Sequence, residues 1–252
     1  MMVAVVGVGS FDPTSGDAPD LALLPRSLRR GLSAGMKYAI AAAGQAVAQA
    51  RRTGALADGA ELPIVYGSAV GETATAIELL TTIVAVRESS PVSFRHSVHN
   101  AAPGLLSIAL GTLASSTAVA AGAETLLALL LEAAALLHEG VPAVLLVIAE
   151  EGASPQLVPG QGAGAGAGAV ACLLTAVGAA RADTALAYLT APVLTEGGGR
   201  AVGDGDPLAP AWGLARAITA ATSTAIKVAL SSALPSGKSW QAQVAATPEA
   251  LA

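Results

Sequence analysis

The sequence predicts an α/β protein with a mostly parallel sheet covered by helices on both faces. Three observations predict it. Residues 141–148 form a near-continuous Val/Leu/Ile run, the pattern of a strand buried on both sides. Apolar runs of strand length alternate with longer segments whose apolar residues recur at helical spacing, as in a sheet built through helical crossovers. Hydrophobic residues make up 53% of 252 and charged residues 12%, with aromatics at 3%. Such a chain can bury a large core, packs helices through small side chains, and leaves apolar surface for a partner to cover.

Residues 3–8 read as the first strand, and the Pro-, Gly- and Asp-rich stretch 11–20 as loop. Ser33 caps a helix through Arg52, with Met36, Ile40, Ala43 and Val47 at helical spacing and Gly54 closing it. Residues 62–66 are a second strand, and 72–86 a second helix with Ile77, Leu80 and Val84 on one face, stopped by Ser89-Ser90-Pro91. The stretch 91–100 reads as irregular and 102–110 as a short helix. A brief strand at 113–118 runs into a buried helix at 120–138, and the strand 141–148 follows. Residues 155–168 are expected to be loop, 170–176 and 185–194 strands, 212–232 a helix and 239–245 a last strand.

Composition excludes several classes. A net charge of −5, with no basic cluster beyond residues 26–30, argues against nucleic-acid binding. The single cysteine, Cys172, rules out an internal disulfide and a Cys-rich metal site, and suits a reducing cytoplasm. Its apolar neighbours predict a buried, inert thiol. The start of the chain has no charged leader, so no signal peptide is expected. The apolar stretch 126–149 is broken by Glu132, His138, Glu139 and Gly140-Val141-Pro142, which fits a buried helix and strand better than a membrane span.

Few motifs survive scrutiny. The glycine run 162–168 leads into a strand, whereas a phosphate-cradling loop leads from strand to helix. Gly7-Val8-Gly9 lacks the third glycine and the helix. Gly31-Leu32-Ser33-Ala34-Gly35 matches a hydrolase pattern, but the basic segment before it is no buried strand, so Ser33 reads as a helix cap. His96 and His99 have no third ligand nearby, and His138 sits where a helix dipole favours a cation. No metal and no cofactor is expected.

The most informative segment is Ser116-Thr117-Ala118-Val119-Ala120-Ala121-Gly122, a short strand entering a long apolar helix. A turn of this kind can present a nucleophile. Here the expected turn residue is Val119, which has neither nucleophile nor proton to give. Together with Leu24-Pro25, Arg29 to Ser33, Tyr66-Gly67-Ser68-Ala69-Val70-Gly71-Glu72-Thr73, Ser90-Pro91-Val92-Ser93-Phe94 and Ser97-Val98-His99-Asn100-Ala101-Ala102-Pro103-Gly104, this segment resembles the β-ketoacyl synthase superfamily. The resemblance is to the short chain-length-factor branch of aryl polyene and related polyketide clusters.

The resemblance implies a thiolase-like fold: a mostly parallel five-stranded sheet, with residues 1–178 as a ketosynthase-like N-terminal half and 179–252 as a truncated second half. It places Val119 where an active synthase carries its acyl-accepting cysteine. No histidine follows His138, and the His-Gly-Thr and Gly-Phe-Gly-Gly patterns of active members are missing. The implied protein is a cytoplasmic, non-catalytic subunit that pairs with an active ketosynthase as a heterodimer or a dimer of heterodimers. It would meet acyl carrier protein through that complex. Thr117, Ala118, Val119, Ala120, Phe94, Ser97, His99 and Asn100 are the implied tunnel and interface residues. Rival readings are a serine acyltransferase or hydrolase using Ser33, Ser97 or Ser116 with His99, a decarboxylase-like role in the paired assembly, and a homodimeric structural protein.

Overall fold

The computed structural model describes residues 2–152, 166–179, 184–196, 206–221, 223–230 and 238–251. Among them one mixed sheet forms from β1 (Met2–Phe11), β2 (Ile64–Gly67), β3 (Ser116–Val119), β4 (Ala143–Glu150), β5 (Gly168–Ala176), β6 (Ala187–Thr190), β7 (Val193–Glu196), β8 (Ile226–Ala229) and β9 (Lys238–Ala245). The order is β3-β2-β4-β5-β1-β6-β9-β7, with β8 also on β9. The α/β class stands, with helices on both faces. The strand count and direction expected from sequence need correction. Only β2–β3 and β2–β4 pair in parallel; β4–β5, β1–β5, β1–β6 and every β9 pairing are antiparallel. An unbroken apolar run reports burial on both faces, not direction. β4 is buried along its whole length and β5 all but its last residue, yet they run antiparallel.

Alternation along β4 splits the core into two layers. Val144, Leu146 and Ile148 face α5 (Thr125–His138) and α6 (Ala209–Thr219); Leu145 and Val147 face α1 (Ala34–Arg52) and α4 (Ala101–Leu110). The α1 start follows its cap: Ser33 Oγ accepts the Met36 amide at 3.0 Å. Its alanine stripe brings it onto β1 so closely that a Cβ on Gly9 would lie 2.1 Å from the Ala42 carbonyl oxygen. β6 covers only Met2 to Val5 of β1. Beyond it, Gln49 and Gln45 of α1 accept the Val8 and Ser10 amides at 2.9 and 3.1 Å, satisfying strand donors that lack a neighbour there.

Several predicted elements shift. The expected irregular stretch contains a helix, α3 (Pro91–His96), capped by Ser90 with Pro91 at its first turn. Six residues are too few to show a period, and Pro91, read as a stop, also starts the next helix. The predicted helix over 212–232 ends with α6 at Thr219, and β8 follows at 226–229. Small Ala, Thr and Ser residues between them favour neither state strongly, and pairing with β9 decides. The strand predicted over 185–194 divides into β6 and β7 around Pro192, which has no amide to donate. The expected loop 155–168 and glycine run 162–168 lie outside the described residues up to 165; Gly168 opens β5. Among the described residues no helix is long and apolar enough to cross a membrane.

Candidate functional site

The parallel strands β2 and β3 end together, with Gly67 beside both Val119 and Ile148, and β4 runs on to Glu150. Carboxyl ends of parallel strands are where α/β sheets present their sites. α5 seals one side of this corner: a Cβ on Gly67 would lie 2.7 Å from Leu129 Cδ1 and from Thr125 Cγ2. Val119 is half-buried as the last residue of β3. Its carbonyl accepts from His99 Nε2 at 3.0 Å, which leaves His99 Nδ1 towards Gly71. The His99 ring meets Tyr66 edge-on at 5.9 Å.

Beyond Val119 the chain does not turn at once. Ala120 and Ala121 are exposed, and the left-handed residue is Gly122, at φ 54°, opening a short 3₁₀ turn before α5. Thr125 Oγ1 locks this turn, accepting the Ala121 amide at 3.1 Å and donating to the Gly122 carbonyl at 2.7 Å. The turn that sequence spacing put at Val119 therefore centres three residues later. Neither Val119 nor Gly122 has a nucleophilic side chain.

The remaining predicted residues scatter around this corner. Thr117 donates to Glu132 of α5 at 3.3 Å, and Ala118 packs on the opposite face of β3. Ser97 Oγ donates to the Phe94 carbonyl at 2.8 Å, Asn100 is the residue before α4, and Phe94 stands 60% exposed on α3. His96 is buried against the Gly31 carbonyl at 2.7 Å. Ser33 is committed to its cap, and His99 to Val119, so no Ser–His pair is assembled from these residues. Among the described residues no group of three or more His, Cys, Asp or Glu could hold a metal ion.

Sequence reading missed a carboxylate cluster behind the corner. Glu72 is buried at the start of α2 (Thr73–Val86), Glu150 is buried at the end of β4, and Glu151 follows it. Burial holds the Glu150 carboxyl at about 7, against the hydrogen bonds from Ala69 and Ser68 that lower it. Burial also holds Glu72 at about 8 against a hydrogen bond from Ser33, with the charge of Glu151 adding to the rise. The same burial, with these three carboxylates, raises the Tyr66 phenol well above its usual range. A signal was present: two adjacent acids closing an all-apolar strand, in a chain with few charges.

An exposed apolar face lies beside the cluster. Its exposed side chains are Val84 (79% exposed) and Leu80 of α2, Phe94 of α3, Ile108 of α4, Leu113 (94% exposed) and Leu131 of α5, on elements that adjoin one another around the β3 edge. These elements neighbour one another in the order α2, α3, α4, β3, α5. β3 is an edge strand of the sheet among the described residues, between α4 and α5.

Comparison with known proteins agrees with this architecture. The model of the β-ketoacyl synthase N-terminal domain matches residues 9–201, well over half of the chain. No curated protein matches the sequence significantly. Among solved structures, a chain of the ketosynthase ApeO in complex with its chain length factor ApeC from Xenorhabdus doucetiae superposes with a TM-score of 0.69. The match has 20% identity over 96% of this chain and 99% of that one. The ishigamide ketosynthase/chain length factor gives 0.60 at 16% identity, over 89% and 75%. A chain of AntDE:AntF, an acyl-carrier protein in complex with its ketosynthase bound to the hexaketide, gives 0.58 at 19%, over 77% and 68%. With its thiolase-like sheet and a domain match spanning most of its length, this chain belongs to the β-ketoacyl synthase N-terminal domain family.

Proposed function

We propose that the protein is a non-catalytic chain-length-factor subunit that pairs with an active ketosynthase to extend acyl chains held on a carrier protein. In this reading residues 1–178 are the ketosynthase-like half and 179–252 a shortened second half. The product class is an aryl polyene or a related polyketide or fatty acid, and the complex is cytoplasmic.

The observation that carries the reading is the exposed apolar face beside β3, on a chain whose β3–α5 turn has no thiol. The only cysteine lies elsewhere, in the middle of β5, where burial pushes its thiol up to about 12. It has no thiolate with which to accept an acyl group. A partner seated on the face from α2 to α5 covers the apolar side chains and continues the sheet past β3. Val119, or Gly122 at the turn itself, then stands at the partner's acyl tunnel in place of a cysteine. Phe94, Ser97, His99 and Asn100 border the same contact.

Co-expression with the neighbouring ketosynthase, sizing, and a carrier-protein elongation assay test this. A one-to-one complex is expected, with elongation lost or product length changed when this chain is omitted. A ketosynthase that elongates identically alone, with no complex formed, overturns the reading. A stable homodimer indifferent to the ketosynthase would favour a second copy on the same face.

A further inference from the structure

Three glutamates converge where α2 begins, and they are not equivalent. Glu150, 1% exposed, accepts the Ser68 hydroxyl at 2.8 Å and the Ala69 amide, and Ser68 in turn accepts the Gly71 amide at 2.8 Å. Glu151 reaches into the first turn of α2, where its Oε2 accepts the Ala74 amide at 3.0 Å. Glu72, 6% exposed, has an Oε2 buried without any hydrogen-bond partner. α1 closes over the pair at Gly35: a Cβ there would lie 3.1 Å from Glu151 Cγ and 3.6 Å from Glu72 Oε1.

Among the described residues no ion pair to the cluster is seen. From β2 the Tyr66 phenol faces the cluster, from α1 the Ser33 hydroxyl faces Glu72 and Tyr38 faces Glu151, and from ahead of α6 Asp206 faces Glu150. His99 lies against Gly71, with its Nε2 committed to Val119. Arg51 and Asp58 form an ion pair at the far end of α1. A lone buried carboxylate is costly, and two carboxylates brought together cannot both ionise cheaply.

We propose that Glu72 carries a proton beside Glu151, forming a clasp that holds the first turn of α2 against α1 and β4. While the proton is present, Glu72 is neutral and Glu151 is free to bind the Ala74 amide. Its loss places two charges side by side, with Glu150 adjacent. α2 buries only Leu79, so little else holds it. The sign follows from Glu72, raised from 4.5 to about 8 chiefly by burial. The folded chain keeps a proton that the unfolded chain gives up, so the contribution of Glu72 is complete below about pH 4.5 and is lost as pH rises through about 8.

The clasp stands apart from the ketosynthase reading. Only its consequence for partner binding, through the order of α2, depends on that reading. The test is amide hydrogen exchange on the full chain between pH 6 and 9, corrected for intrinsic rates. Wild-type protection at residues 74–79 should fall about tenfold or more across this range, while Glu72→Gln stays flat. Identical curves for the two proteins overturn the clasp. If Glu72→Gln does not fold, Glu151→Gln decides: removing the neighbouring charge should move the loss of protection to lower pH, and an unmoved curve overturns the proposal. Pull-down of the ketosynthase at pH 6 is a separate readout, so a failed partner and a failed clasp give different results.

Discussion

Gly9 and Gly44 show how one methyl group changes meaning with its neighbours. Gly9 lies under α1, and a Cβ there would meet the Ala42 carbonyl at 2.1 Å and the Ala46 amide nitrogen at 2.9 Å. Backbone cannot give way as a side chain can. Gly9→Ala should destabilise the chain by about 3 kcal/mol in a urea titration. Gly44, inside α1, has only Leu23 Cβ at 3.8 Å, so Gly44→Ala should stabilise by about 0.5–1 kcal/mol through helix propensity. Equal effects for both would refute the close approach of α1 to β1. At this scale sequence was legible where chemistry is local. Ser33 declares its cap through the residues that follow it. Glu72 does not declare its burial, because Glu150 and Glu151 reach it from almost eighty residues away.

α2 shows the same limit for a whole element. Its helical period was readable, and Ile77, Leu80 and Val84 do share a face. That face looks outward, however: Leu80 and Val84 are exposed, and Leu79 is the buried residue. Period identifies an amphipathic helix without saying whether its apolar stripe meets its own core or another chain's. Val84→Asp tests the difference. At 79% exposure it should leave the melting temperature within about 2 °C, and it should weaken ketosynthase binding at least tenfold. A large loss of stability without loss of binding would place the stripe inside the subunit. The β3–α5 turn was located from sequence to within three residues. The left-handed Gly122 is set by how Thr125 ties the turn back on itself, not by the apolar pattern.

Over the whole molecule the sheet itself is the unit of stability. Cys172 pairs with Leu146 on one side and Val8 on the other, at the junction of β4, β5 and β1. Its thiol faces the layer of α5 and α6, so it is reached only when that layer comes off the sheet. A thiol reagent should therefore label it at the rate set by global opening, and a bound partner should slow labelling in proportion to occupancy. Prompt stoichiometric labelling of the folded chain would show that the α5 and α6 layer opens without the rest of the sheet.

Sequence by itself determined the α/β class and the positions of β1, β2, β4, β5, α1 and α4. These rest on period, capping and residue identity, which act over a few residues. Tertiary structure alone decided that β4 and β5 run antiparallel, that α2 turns its apolar stripe outward, and that Glu72 and Glu151 meet under Gly35. Strand direction, the covering of a face and the proton affinity of a buried acid depend on neighbours distant in the chain. A local pattern carries no record of them.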